Sequence, residues 1–492
     1  MQDLAIILKN IFSFNPSNPI SFISGYFLFA FTGMLLLFSF ISNKINARKW
    51  FIIFFSFFFY YKLTGFLCLI ILAPVLIDFY CAKAIFKTES EGRKKLFMYL
   101  SVISSLGLLI YFKYTNFFLE IINSFSGNSI SLLKITVPIG ISFYVFRSIS
   151  YIMDVYNEKI DPVKYFSDYL LYMTFFPLLI SGPITRAELF APQIEEKNLV
   201  YKEKINEGLY LIFKGIIKKA IFADYLSLYV AMIFATPEGY TGLENLVGII
   251  CFTIQLYLDF SGYTDIARGI SKLLGFEIGI NFNEPLKARS ISDFWRRWHI
   301  SLSDWLRDYL FFPLNYYFRK LKTFGAILAM FITFLICGIW HGTSILFILF
   351  GISHGLALCW EIFIKRYKRP KNKFLNWTIP SISWLMTMIF IIITFISMRA
   401  DNLNSASGII AGIFTKMDLS KAILFFTVQG IFSTMLILAI LLIFMPKFVK
   451  EKTEHIFTKM PLLFKIILFI AATQLIVEME NQNIVPFIYA QY

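Results

Sequence analysis

The stretch FGAILAMFITFLICGIW at 324–340 is followed by HGT and then by SILFILFGISHGLALCWEIFI at 344–364. Each run has the length that crosses the hydrocarbon core of a bilayer as a helix, roughly 17 to 25 residues. Basic clusters at 319–322 and 365–373 flank the far ends of the two runs. Because short basic loops stay in the cytoplasm, the two runs are predicted to form a hairpin that crosses the membrane and returns.

The turn of this hairpin is Trp340-His341-Gly342-Thr343. His341 follows Lys322 by 19 residues, which is roughly 28 Å of helix at about 1.5 Å per residue. An unbroken helix therefore places His341 deep in the membrane or toward its outer side.

The composition extends this interpretation to the whole chain. Hydrophobic residues make up 58% of it and charged residues only 16%. In a soluble domain roughly a quarter of all residues are charged. The mean hydropathy is +0.67. The net charge of +15 lies mainly in short clusters between apolar runs. This is the positive-inside pattern of membrane proteins and not the footprint of a nucleic-acid-binding protein.

We predict an all-α fold, a polytopic membrane helical bundle with about eleven crossings and short re-entrant or interfacial helices. No internal repeat or low-complexity linker is visible, so residues 1–492 are predicted to form one domain. The candidate spans lie at 20–42, 50–61, 63–80, 96–112, 135–153, 165–182, 207–234, 245–260, 324–340, 344–364, 380–398, 422–445 and 462–477.

Neither the cysteines nor the first residues indicate a disulfide-bonded, zinc-binding or secreted protein. The five cysteines lie in or beside apolar runs without regular spacing, which favours buried thiols over disulfides or a zinc site. The first nineteen residues lack the charged start and cleavage site of a signal peptide, so the run 20–42 is expected to remain as a span. The cysteines are Cys68, Cys81, Cys251, Cys337 and Cys359.

The segment at about 290–312 differs from the spans because aromatic and charged residues alternate along it. Ser290 and Asp293 have the spacing of a capping box, and Pro313 gives a stop, which predicts a helix of about five turns. We expect an amphipathic helix at the cytoplasmic surface or packed under the bundle. At about 100° per residue, its aromatic face would carry Trp295, Trp298, Leu302, Trp305, Leu306 and Tyr309.

Two histidines are candidates for chemistry. His341 is an ionisable group at membrane depth, where such groups usually face the protein interior or a wet cavity, and neutral imidazole is the commonest general base. The alternative is a histidine that bonds a carbonyl of a broken helix. His299 lies between the aromatic stripe and the polar face, near Arg296 and Ser303. It either faces a half-dry cavity or is an ordinary surface residue.

The remaining two histidines are not expected to take part in chemistry. His354 lies in the returning helix of the hairpin and is expected to pack, and His455 is expected at the surface.

These residues belong to a set of motifs that resembles the membrane-bound O-acyltransferase family. The resemblance covers most of the chain and is closest to the bacterial branch of alginate and peptidoglycan O-acetyltransferase membrane subunits. Two positions depart from that pattern, Arg147 and Leu178, where glutamine is expected. The matching motifs are Val137-Pro138-Ile139-Gly140-Ile141-Ser142-Phe143-Tyr144, Phe175-Phe176-Pro177 with Ser181-Gly182-Pro183, Asp259-Phe260-Ser261-Gly262-Tyr263 with Asp265, Asn281-Phe282-Asn283, the 296–309 segment and Trp340-His341-Gly342.

The resemblance implies a fold with a central tunnel and assigns roles to individual residues. It makes His341 and His299 the catalytic residues, with His341 as general base and His299 on the side of the acyl donor. The residues expected to bind substrate are Arg296, Ser303, Arg307, Trp340 and Asn281.

The resemblance also implies the reaction and its setting. A cytoplasmic thioester, acetyl-CoA, would supply an acyl group, most simply acetyl, to hydroxyls of an extracytoplasmic polysaccharide or peptidoglycan. No metal is implied. The enzyme would lie in the bacterial cytoplasmic membrane, in contact with lipid, and act with an extracytoplasmic acetyl-transfer or acceptor-binding partner protein.

Two alternatives stay open. One is a D-alanyl transferase of the teichoic acid type, which would take D-alanine from a carrier protein. The other is a transporter or lipid flippase, although the sequence lacks the paired repeats and midplane charges that this class requires.

The tail Phe487-Ile488-Tyr489 resembles the aromatic ending of the acetyltransferase branch. A Tyr489 hydroxyl on the outer side could relay the acyl group from the tunnel to a partner enzyme. The alternative is an aromatic anchor at the membrane interface.

Overall fold

The computed structural model describes residues 13–16, 20–126, 130–197, 200–364 and 373–480. These residues form helices joined by short loops and include no β-strand. Large apolar side chains cover much of the exposed surface, for example Phe29, Phe40 and Ile423. In lipid a helix satisfies its backbone groups internally, so an apolar outer surface on helices is the arrangement that a bilayer requires. The predicted all-α, polytopic membrane class is confirmed.

The described residues contain six helices that are long and apolar enough to cross a membrane. Two further pairs of helices pass the same test together but bend by 95° and 115° at a short break, which gives up to eight spans. The six spans are Ile45–Lys87, Glu91–Ser126, Gly242–Leu273, Arg319–His341, Ile345–Ile364 and Ile379–Met398. The bent pairs are Ala422–Val428 with Gly430–Phe444 and Lys447–Lys459 with Leu462–Leu475.

This number is smaller than the eleven crossings predicted. Two of the predicted spans became shorter helices, Ile141–Tyr156 of 16 residues and Phe166–Thr174 of 9 residues. At about 1.5 Å per residue neither reaches the roughly 30 Å of the hydrocarbon core. Their side chains are mostly buried in protein rather than exposed to lipid. Apolar composition alone does not distinguish a buried helix from a lipid-exposed one.

The chain divides into two compact units. The first comprises residues 1–212 and 266–279. Its core contains a cluster of phenylalanines in which the rings of Phe22, Phe27 and Phe176 lie 5.0–6.3 Å apart. Its helices before 200 are Gly25–Ile41, Ile45–Thr64, Leu72–Lys87, Glu91–Leu109, Thr115–Ser126, Ile141–Tyr156, Phe166–Thr174 and Ala187–Ile194.

Two buried polar groups of the first unit, Asp78 and Arg147, are hydrogen-bonded inside it. Asp78 accepts hydrogen bonds from Ser101 at 2.6 Å and from Tyr169 at 2.8 Å. Arg147, one of the two departures from the family pattern, donates to the carbonyls of Tyr172 and Met173, both at 2.9 Å. These carbonyls lie in the last turn of the Phe166–Thr174 helix, where a cation is favourable.

The second unit comprises residues 213–265 and 280–492. Its central hairpin consists of Lys322–His341 and Ile345–Ile364, as predicted. The two helices meet at Gly338 and Gly351, because a Cβ atom at Gly338 would lie 2.7 Å from the Gly351 Cα. Its remaining helices of seven residues or more among the described residues are Lys202–Ile216 in part, Ile217–Ala223, Asp224–Ala235, Gly242–Leu273 in part, Ile300–Leu306, Lys373–Phe395, Leu403–Thr415, Ala422–Val428, Gly430–Phe444, Lys447–Lys459 and Leu462–Glu480.

The segment at 290–312 is not the continuous helix that was predicted. Ser290 caps a short helix, Ile291–Trp295, by accepting from the Asp293 backbone N–H, which confirms the predicted start. The chain then turns at His299, whose φ of 43° and ψ of 52° are left-handed, and a second helix begins at Ile300. The side chains of the two halves therefore do not follow one continuous helical repeat. Pro313 does not end the segment, since it lies in the first turn of a further helix, Phe312–Tyr317.

Candidate active site

His341 is the last residue of the Lys322–His341 helix and is buried, with 2% of its surface exposed. Its ring contacts the ring of Phe350 edge-on, with centroids 5.6 Å apart. The helix ends here because the next backbone must pass close to the returning helix. A Cβ atom at Gly342 would lie 2.2 Å from the Phe347 ring, so a larger residue at this position would require that ring to move.

His299 lies at the turn between the two short helices and is fully buried. The edge of its ring meets Phe260 at 4.8 Å between centroids. A left-handed backbone at a residue other than glycine costs about 1–3 kcal/mol, so the surrounding contacts must hold it in place. Burial lowers the pKa of His299 to about 3, so its imidazole is neutral at physiological pH.

The Asn281-Phe282-Asn283 segment holds this turn by pairing with it. The Asn281 carbonyl accepts from the Ile300 N–H at 2.9 Å, and the Asn283 N–H donates to the Arg297 carbonyl at 2.9 Å. The Asn281 side chain accepts from the Ser301 hydroxyl at 2.6 Å. Between these bonds, Phe282 packs edge-on against Trp298, with ring centroids 5.0 Å apart. Two motifs that are separate in the sequence therefore form one structural element.

Trp340 lies in contact with both histidines. Its ring centroid is 4.9 Å from that of His341 and 6.3 Å from that of His299. The structure thus brings together His341, His299 and Trp340, three of the predicted site residues. A neutral imidazole in a buried, largely aromatic environment can accept a proton from a substrate hydroxyl, which is the chemistry of acyl transfer.

The sequence of this site and its surroundings matches a known family. The model of MBOAT, the membrane-bound O-acyltransferase family, matches residues 94–399, which include all the residues of the cluster. The chain belongs to this family. It is an acyltransferase and a multi-pass protein of the bacterial cytoplasmic membrane.

Curated relatives of this acyltransferase agree with that assignment. It is 32% identical to a peptidoglycan O-acetyltransferase of Helicobacter pylori over 80% of this chain and 78% of the relative. It is 36% identical to a probable alginate O-acetylase of Azotobacter vinelandii over 68% of this chain and 66% of the relative. A teichoic acid D-alanyltransferase of Bacillus subtilis is 31% identical over 52% of this chain and 65% of the relative.

Other predicted residues of the acyltransferase are more exposed than the buried cluster. The Arg296 side chain is 69% exposed and lies 3.8 Å from Asp293. The Arg307 side chain is 50% exposed and pairs with two neighbouring carboxylates, Asp304 and Asp308. Ser303 is half-buried, and its hydroxyl donates to the Trp298 carbonyl at 3.3 Å. The two arginines therefore lie at the exposed edge of the segment that carries His299.

The structure adds residues that the sequence analysis missed. Glu361, near the end of the returning helix, accepts from the N–H groups of Ile291 and Ser292 and from the Ser292 hydroxyl. An acidic residue at the end of an apolar run was the available signal. Phe350 carried no signal, because phenylalanine is frequent throughout this chain, at 58 residues, whereas Phe260 already belonged to the Asp259–Tyr263 motif. Tyr489 lies outside the described residues.

Proposed function

We propose that this acyltransferase transfers an acetyl group from acetyl-CoA to hydroxyls of an extracytoplasmic polysaccharide or peptidoglycan. The observation that carries the proposal is the buried cluster in which Trp340 contacts both His341 and His299. The acetyl group and the class of acceptor are supported by the names of the relatives, a peptidoglycan O-acetyltransferase and a probable alginate O-acetylase.

His341 acts as the general base in this proposal. The acceptor hydroxyl loses its proton to the His341 imidazole while its oxygen attacks the thioester carbonyl carbon, and the departing thiolate then takes that proton. The carbon–oxygen bond of the ester forms as the carbon–sulfur bond breaks. His299, which is neutral and buried, orients the thioester within reach of His341.

Arg296 and Arg307 attract the donor. Their side chains are exposed at the edge of the same segment, where guanidinium groups can contact the phosphates of a coenzyme. Ser303, Trp340 and Asn281 complete the substrate-binding set. A single domain with a central tunnel would let the acyl group cross while the coenzyme stays on the cytoplasmic side.

An extracytoplasmic partner protein completes the transfer in this proposal. In a two-step route the Tyr489 hydroxyl is the nucleophile that attacks the thioester in the step described above, and it then passes the acetyl group to that partner. D-Alanyl transfer is the competing reaction, supported by the teichoic acid D-alanyltransferase among the relatives.

Mass spectrometry of cell-envelope glycans tests the proposal. A strain that lacks the gene should lose O-acetyl groups from one glycan, and the wild-type gene should restore them. Loss of D-alanine esters with intact acetylation would contradict acetyl transfer. An unchanged set of glycan esters would contradict the proposal as a whole.

A further inference from the structure

Asn281 carries a buried hydrogen-bond donor beside the His299 turn. Only 1% of the residue is exposed. Its Oδ1 accepts from the Ser301 hydroxyl at 2.6 Å and from the Ser301 backbone N–H at 3.4 Å. Its Nδ2 has no hydrogen-bond partner within the part of the chain that the structure describes.

The orientation of this amide is fixed by its neighbour. A backbone N–H can only donate, so the atom that faces the Ser301 N–H must be the amide oxygen. The NH₂ group is therefore the free half of the side chain. The main chain of Asn281 is fixed as well, because its carbonyl accepts from the N–H of Ile300, the residue that follows His299. The donor is thus held in one place before any substrate arrives.

A fixed and buried donor suits an oxygen on which negative charge develops. Buried polar groups are almost always hydrogen-bonded, so Nδ2 is expected to find its acceptor in a bound molecule. In the proposed reaction the oxygen that gains charge is the thioester carbonyl oxygen. We propose that Asn281 donates from Nδ2 to this oxygen and stabilises the oxyanion, which makes Asn281 a catalytic residue.

The step needs no other reactant. As the acceptor oxygen bonds to the carbonyl carbon, the carbonyl electron pair moves to the oxygen, which accepts the Asn281 N–H. The pair returns when the carbon–sulfur bond breaks and the thiolate leaves with the proton that His341 had taken. Asn281 keeps both amide hydrogens throughout. The inference rests on the proposed function, since it takes the thioester of that reaction as the donor.

Kinetics of the purified protein in lipid nanodiscs test this role. Acetyl-CoA is the donor, a glycan oligosaccharide is the acceptor, and released CoA is measured by mass spectrometry. Asn281→Asp, Asn281→Leu and Asn281→Ala each remove the donor, and the test uses those that purify as the wild type does. A lost oxyanion donor should lower kcat by about 10²- to 10³-fold and leave the KM for acetyl-CoA nearly unchanged.

Two controls separate catalysis from structure. Asn283→Asp makes the same chemical change at an exposed side chain of the same motif and should keep wild-type kcat. Ser301→Ala breaks the same Ser301–Asn281 hydrogen bond as Asn281→Leu but leaves Nδ2 in place, so its kcat should fall by less than tenfold.

The outcomes are distinct. Wild-type kcat in the Asn281 variants, or equal losses in Ser301→Ala and Asn281→Leu, would overturn the catalytic role. Wild-type protein that releases no CoA from acetyl-CoA would overturn the proposed function itself.

Discussion

The Trp295 indole donates a hydrogen bond to Nδ1 of His354, with 3.1 Å between the two nitrogens. An indole N–H only donates, so Nδ1 is the acceptor and the imidazole proton lies on Nε2. That nitrogen lies 3.1 Å from the Thr394 hydroxyl, to which it donates. One histidine thus links the short helix before His299 to the returning helix of the hairpin and to the helix that follows.

Trp295→Phe is expected to destabilise the acyltransferase by about 1–3 kcal/mol, because a buried acceptor on His354 loses its donor while the aromatic ring is kept. Thermal denaturation in nanodiscs measures the change. Trp50→Phe is the matched control, since Trp50 is 44% exposed. Equal shifts in the two variants would show that the hydrogen bond contributes nothing.

His341→Ala is expected to abolish acyl transfer while the protein remains folded in the membrane. In the proposed reaction His341 takes the hydroxyl proton, and alanine cannot. Glycan O-acetylation in a complemented deletion strain provides the measurement. His455→Ala, at an exposed histidine, should retain full activity. Normal acetylation with well-expressed His341→Ala would refute the role of His341 as base.

His299→Gln is expected to impair use of the donor more than use of the acceptor. Because burial lowers the pKa of His299 to about 3, the ring stays neutral between pH 5 and 8, and the loss should be the same at every pH in that range. A defect confined to the KM for the acceptor would show that His299 does not act on the donor.

The same pKa shift predicts an effect of pH on stability. The unfolded chain binds a proton on His299 near pH 6.5 that the folded chain does not, so stability should fall as the pH drops below about 6.5. In His299→Gln this contribution is absent. Denaturation curves of the two proteins between pH 5 and 8 measure the difference, and parallel pH dependences would argue against a neutral His299.

Gly338→Ala is expected to separate the helices of the hairpin and to lower both stability and activity. Its new methyl group would lie 2.4 Å from the Phe347 carbonyl oxygen, and overpacking of this kind costs about 1–3 kcal/mol. Gly33→Ala, where nothing lies within 4 Å of the new methyl group, is the control. Thermal stability that changes equally in both would mean that the helices can move apart freely.

A cysteine in place of Arg296 is expected to react with an impermeant thiol reagent only after the inner face of the membrane is opened. The position is 69% exposed, and the predicted topology puts this segment in the cytoplasm. Cys359→Ala serves as the background, because the other four native cysteines are buried. Labelling in intact cells would reverse the predicted topology.

The sequence was sufficient for the features that depend on local composition. The hairpin around His341 followed from the length of two apolar runs and their basic flanks, and Ser290 was identified as a helix cap from its spacing to Asp293. The His299 turn could not be found in this way. It is held by Asn281 and Asn283, which pair with it through the backbone, and such pairing leaves no periodic pattern in the segment itself.

The break at His299 also explains why the predicted set of site residues includes both exposed and buried side chains. A continuous helix would have placed Arg296 and His299 on neighbouring faces. In the structure Arg296 is exposed and His299 is buried, because the chain changes direction between them. The described residues contain six to eight candidate spans rather than eleven, in part because the apolar helices Ile141–Tyr156 and Phe166–Thr174 are short and buried in protein.

The bond between Glu361 and Ile291 has a consequence for the order in which the chain assembles. The two residues are 70 positions apart, so the ribosome makes the acceptor carboxylate after the short helix that it caps. At about 5–20 residues per second, that interval is roughly 4 to 14 seconds. During this time the nascent segment at 290–309 has its Ser290 cap but lacks the Glu361 carboxylate, and it can reach its final form only once the returning helix of the hairpin has been synthesised. Assembly of the buried cluster around His299 is thereby coupled to synthesis of the hairpin.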